Sequence, residues 1–243
     1  MRLNSTTVKM LLSCTLLFSA LPACSENAPT VQNQPAPATK PVGTVDRDFS
    51  RWEKQIAAYE AMDRIQPPPN NAILFIGSSS IRRWSTLAKD FPHHQVINRG
   101  FGGSHIVDAT HFADRIIFPY QPKMILLRAG GNDISVGKSP EQVFEDYKAF
   151  VAKVRERLPK TKIVYCSIFP SPSNRTKWDA FKALNTLIEK YSRYQSDLKY
   201  IETFDMVLGP GGQPRPELFA PDRLHLSAEG YRLLAERVRP FLP

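Results

Sequence analysis

Apolar and polar positions alternate along this chain in two registers, one suited to strands and one to helices. Ala72-Ile73-Leu74-Phe75-Ile76 is an unbroken apolar run, as expected of a strand covered on both faces. Gln95–Asn98, Lys123–Arg128, Lys162–Ile168 and Tyr200–Phe204 have the same short, β-branched-rich character. Between them lie helical periodicities. Asp46 to Ile65 places Phe49, Trp52, Ile56, Ala57 and Tyr59 on one face, and Pro67-Pro68-Pro69 stops it. Further helices are expected over 80–88, 104–117, 177–194 and 227–238. Another runs from Ser139 to Leu158, with Ser139 as cap, Pro140 at the first helical position and Gln142 completing a capping box.

Strands separated by helices require right-handed crossovers and a mainly parallel sheet. The pattern therefore predicts an α/β fold: a three-layer α/β/α sandwich on five strands. Ligands of such sheets lie outside the carboxyl ends of the strands. The glycine- and serine-rich turns of this chain fall on that edge.

The first two dozen residues read differently. Arg2 and Lys9 precede a short apolar run, Met10 to Ala20, too short to span a bilayer. Leu21-Pro22-Ala23-Cys24 follows and resembles a bacterial lipobox, although Pro22 departs from the usual pattern. The resemblance implies a signal peptide over 1–23, cleavage before Cys24 and lipid attachment there. Export to the cell envelope follows, with a membrane anchor at Cys24, and Ser25 leans toward the outer membrane of a Gram-negative cell. Residues 24–45 are rich in Pro, Ala, Thr, Asn and Gln and read as a tether. Residues 46–243 suffice for one domain with its own core.

Charge and cysteine content narrow the partners. The net charge is +9, but basic residues are interleaved with acidic ones and form no run. Nucleic acid is thereby disfavoured as a partner. Cys166 is the one cysteine of the folded part, so no internal disulfide can form there, and its apolar setting suits a buried thiol.

Four separated segments carry the chemistry. Gly77-Ser78-Ser79-Ser80 places hydroxyls on a strand-to-helix turn, where free N–H groups face a developing oxyanion. Spacing alone does not choose among the three serines, and a plain turn and cap would read the same. Gly102-Gly103 offers an unobstructed backbone N–H or a simple tight turn. Asn132, after Gly130-Gly131, offers a neutral amide donor or an Asx-type turn, with Asp133 as a structural partner. Asp222 and His225 share one loop, so the carboxylate can orient an imidazole that carries the proton. His93, His94, His105 and His111 show no zinc-type spacing with that pair, and no metal is expected.

In this order the segments resemble the SGNH (GDSL-type) hydrolases, in particular the platelet-activating-factor acetylhydrolase-like branch. The resemblance covers Ile73 to about Tyr231. It implies a flavodoxin-like fold and no cofactor. The nucleophile would be Ser79, with Asp222 and His225 completing the catalytic set. The oxyanion donors would be Ser79, Gly103 and Asn132. Ser78 stands where many members have aspartate, and Arg128 and Gly131 also depart from the common pattern.

The expected function is thus ester hydrolysis through an acyl-enzyme, acting on small-molecule or glycan esters with short acyl groups such as acetyl. Lysophospholipase, thioesterase and acyl-transfer chemistry remain open on the same residues. So do a non-catalytic binding module and a phosphate-binding fold. Arg82, Arg83, Arg99 and Arg128 flank the segments; each is either a holder of an anionic substrate group or an ordinary paired or solvated side chain.

Overall fold

The computed structural model describes residues 47–243. The signal peptide, the lipidation site at Cys24 and the tether expected through residue 45 lie outside the described residues.

Five parallel strands form one sheet: β1 (Ile73–Gly77), β2 (Val96–Gly100), β3 (Met124–Arg128), β4 (Lys162–Cys166) and β5 (Leu198–Ile201). Their spatial order is β2-β1-β3-β4-β5. The register aligns Gly77 with Gly100 on one side and with Arg128 on the other, so three strand ends meet at one level.

Alternation along each strand builds two cores. Leu74, Ile76, Ile125, Leu127, Ile163 and Tyr165 face one side. They are covered by α1 (Glu53–Ile65), α4 (Ile106–His111), α5 (Ala113–Ile116), α7 (Pro140–Arg157) and α8 (Trp178–Arg193). Ile73, Phe75, Met124, Leu126, Val164 and Cys166 face the other side. There α2 (Ser79–Arg82), α3 (Leu87–Asp90) and α9 (Ala228–Val238) pack on them. The result is the three-layer α/β/α sandwich. Cys166 is fully buried, and burial pushes its thiol pKa up.

The capping box of α7 forms as read: Gln142 N–H donates to Ser139 Oγ at 3.2 Å, and Ser139 N–H to Gln142 Oε1 at 2.9 Å. Ser227 caps α9 by accepting from Gly230 N–H at 3.2 Å.

Several expected elements differ: the first α-helix starts at Glu53 rather than Asp46, and β4 ends at Cys166 rather than Ile168. The helix expected over 80–88 is two short helices, α2 and α3. The chain turns between them so that Trp84 packs against Phe75 and Phe91 and donates to Asp90 at 2.6 Å. The helix expected over 104–117 starts later and breaks at Phe112, whose ring packs edge-on to Phe101. The last strand ends at Ile201 rather than Phe204. Beyond it, Thr203 leaves the ladder for Ser167, donating from its N–H to Ser167 Oγ and from its hydroxyl to Ser167 O, both at 2.8 Å.

The strand order reverses between β1 and β3, where the crossovers depart in opposite directions. That crevice is the favoured ligand site of a doubly wound sheet.

Candidate active site

Ser79 leaves β1 and Asn132 leaves β3, so both stand at the reversal point. Gly77 makes the β1 turn possible. Its φ is +149°, and a Cβ there would lie 2.0 Å from the carbonyl oxygen of Arg128. Ser78 then caps α2, with Ile81 and Arg82 N–H both donating to its carbonyl. Ser79 is the first helical residue, where backbone N–H groups lack intrahelical acceptors.

A second close approach fixes this turn from the side. A Cβ on Gly100 would fall 2.2 Å from Arg82 N, so β2 can press against α2 only with glycine there. Asn98 reinforces the contact by donating to Ile81 O at 2.7 Å. From the far end of the chain, Tyr231 in α9 donates to Ser80 O at 2.8 Å.

His225 arrives on the loop before α9. Its Nε2 is 2.8 Å from Ser79 Oγ, and its Nδ1 is 2.7 Å from Asp222 Oδ2. Asp222 is well secured. Its Oδ1 accepts from the backbone N–H of Leu224 and of His225, each at 3.0 Å. The His225 N–H, then the His225 ring, hold its carboxyl well below the usual carboxylate range. Ionised Asp222 therefore fixes the imidazole with its free Nε2 turned toward the serine hydroxyl.

Asn132 lies in α6 (Gly131–Ser135), a short helix that the periodicity does not predict. Gly130 opens it with a φ of +110°. The Asn132 amide donates to Ser104 O at 2.9 Å, which uses one of its two N–H bonds and leaves the other for a ligand. Gly103, with φ of +74°, is adjacent to that carbonyl but does not line the cavity that holds Ser79.

That cavity, about 110 Å³, brings Ser79, Asn132 and His225 together, with Arg128, Phe169 and Leu224 among its walls. Ile168 and Phe181 add apolar surface. Ile168 and Phe169 were readable only as strand-end residues, and their place just past β4 was the available signal. Phe181 gave none beyond the periodicity of its helix. Asp133 is fully buried beneath the site and accepts from Ile106 N–H at 3.4 Å, a structural role. Among the described residues, no group of three or more His, Cys, Asp or Glu side chains could hold a metal.

With this geometry in place, the sequence profile of the GDSL-like lipase/acylhydrolase family matches residues 75–233, which span every segment just described. The chain belongs to that family. GDSL-like acylhydrolases are hydrolases of ester type, and the family match includes the serine turn, the Gly131–Asn132 turn and the Asp222–His225 loop. Solved structures share the fold. One is a Streptococcus pneumonia protein described as a candidate platelet activating factor: 23% identical, TM-score 0.71, covering 80% of this chain and 94% of its own. Another is a GDSL-like lipase from Bacteroides thetaiotaomicron: 19% identical, TM-score 0.63, with 80% and 96% covered. A third is an acetylxylan esterase from Geobacillus stearothermophilus: 15% identical, TM-score 0.57, with 70% and 94% covered. No curated protein sequence matches the chain.

Proposed function

We propose that this GDSL-like acylhydrolase cleaves short-acyl esters through an acyl-enzyme formed on Ser79. The observation that carries the reading is the hydrogen-bond chain from Ser79 Oγ through His225 to Asp222, with links of 2.8 and 2.7 Å.

In the first half-reaction Ser79 Oγ attacks the ester carbonyl as its proton passes to His225 Nε2. Asp222 keeps the imidazole in the required tautomer and stabilises the imidazolium. The tetrahedral oxyanion is met by the N–H of Ser79 and the second N–H of Asn132 within the cavity; Gly103, expected as a third donor, does not line it. Collapse breaks the bond to the alcohol oxygen, which takes the proton from His225. Water then repeats the sequence on the acyl-enzyme, with His225 accepting its proton and returning it to Ser79. The products are the acid and the restored serine.

Acyl size is supported by the cavity. A void of about 110 Å³ is smaller than the ~150 Å³ that holds a benzene ring. It suits acetyl or a slightly longer group, and acetyl esters of carbohydrate are our favoured class. The acetylxylan esterase acts on such esters, which gives the idea a precedent on the same fold. We place the enzyme in the bacterial cell envelope, exported by its signal peptide and anchored at Cys24.

The test is a p-nitrophenyl ester series from acetyl to decanoyl on wild type and Ser79→Ala. Turnover by wild type, falling steeply beyond butyryl and lost in the variant, is expected. Equal rates for the two proteins would refute the reading.

A further inference from the structure

The structure separates the four arginines near the site. Arg99 is buried against Tyr120 and Asp63, to both of which it donates. Arg83 is exposed and pairs with Asp222 at 3.0 Å. Arg82 is exposed, with its guanidinium against Gly102. Arg128 is different from all three.

Arg128 ends β3 on the α2–α9 face of the sheet and is only 7% exposed. It lines the same small cavity as Ser79, Asn132 and His225. One nitrogen donates to the hydroxyl of Ser80, the residue beside Ser79. The guanidinium carbon sits 3.9 Å from the centroid of the Phe169 ring. Its Nε is buried with no acceptor, and it forms no ion pair with any carboxylate among the described residues.

This is an unusual way to bury a cation. Removing a charge from water is costly and is normally offset by an opposite charge. One neutral hydroxyl and one aromatic face offset only part of that cost. The complement of such a charge is an anion, and the space next to the cation is the cavity proposed to receive the ester. A carboxylate suits it best, because the guanidinium fork matches two oxygens.

We infer that Arg128 is a specificity-determining residue, and that the ester substrate carries a carboxylate within a few bonds of the bond that is cleaved. This rests on the esterase reading above. The carboxylate can belong to the acyl group, as in a dicarboxylic hemiester, or to the alcohol, as in an acetylated hydroxy or uronic acid. The chemistry of recognition is the same.

Two matched pairs of esters distinguish these sources. The acyl pair is p-nitrophenyl hemisuccinate against p-nitrophenyl butyrate. The alcohol pair is O-acetyl-lactate against O-acetyl-lactamide, followed by acetate release. Wild type, Arg128→Met and Arg128→Lys are compared, with free succinate as a competitor of neutral-ester cleavage. Wild type is expected to favour the anionic member of one pair by at least tenfold in kcat/KM, mainly through KM. The ratio should fall to about one in Arg128→Met, recover in part in Arg128→Lys, and succinate inhibition should weaken in step. Wild-type ratios near one in both pairs would overturn the inference, even if Arg128→Met cannot be folded. So would an Arg128→Met effect equal on both members, which marks a structural role. A wild type that cleaves none of the four esters would instead defeat the esterase reading.

Discussion

Arg83 Nη1 lies 3.0 Å from Asp222 Oδ2, the same oxygen that faces His225 Nδ1. Arg83 and Asp222 are both largely exposed, at 46% and 39%, so solvent screens the pair heavily. Surface pairs of this kind contribute about 0–1 kcal/mol. Arg83→Ala is accordingly expected to change kcat/KM by less than about fivefold on a neutral ester. Asp222→Asn removes the acceptor that sets the imidazole tautomer and should cost on the order of 10⁴-fold in kcat. Steady-state kinetics on both variants checks the contrast, and comparable losses would contradict it.

No other donor takes the place of the second N–H of Asn132 once the side chain is gone. Asn132→Ala should lower kcat by about 10²–10³-fold with little change in KM, as for other single oxyanion donors. Because Asn132 also donates to Ser104 O, a thermal unfolding curve belongs beside the kinetics. A raised KM with unchanged kcat would assign the residue to ground-state binding.

Much of this site could be read before any coordinates. The four segments, their order and their place on the sheet edge follow from residue type and strand periodicity. The structure brings Ser79, Asn132 and His225 to one cavity. What escaped was set by packing rather than pattern. The indole of Trp84 needed a pocket between Phe75 and Phe91, and that need split the expected helix. Thr203 found better acceptors on Ser167 than in the ladder, and so shortened the last strand. The uncompensated charge of Arg128 was also invisible. Sequence named the residue, but only the missing carboxylate separates it from Arg99, which has one.

His105 and Asp133 meet at 3.6 Å in the interior, and burial acts on them in opposite senses. It lowers the His105 pKa from 6.5 to about 3 and raises that of Asp133 from 3.8 to about 7. Near pH 5 the contact joins a neutral imidazole and a protonated carboxyl. The His105 contribution to stability is lost as pH falls from 6.5 toward 3, because the unfolded chain then binds the extra proton. The Asp133 contribution is present below about 4 and lost as pH rises toward 7. The two slopes offset each other in between. Asp133→Asn should unmask the first, with unfolding free energy dropping by up to about 1.4 kcal/mol per pH unit on acidification. His105→Asn should unmask the second, with the opposite sign. Urea unfolding at pH 4, 5.5 and 7 measures both, and the same slope in the two variants would contradict the assignment.

The proposed envelope location has its own test. Cys24→Ser should abolish incorporation of labelled palmitate and shift the protein from the membrane to the soluble fraction. Specific activity of the purified domain should not change, since residues 47–243 contain every group of the site. Undiminished labelling would place the lipid elsewhere, and no labelling of wild type would remove it from the account.

Ser79 and His225 are separated by 146 positions, and Tyr231 reaches back to grip Ser80 from beyond both. A nascent chain therefore carries its nucleophile long before it owns a base. The site is complete only once the C-terminal loop and helix have docked, so a chain truncated before His225 keeps the serine but not the means to activate it.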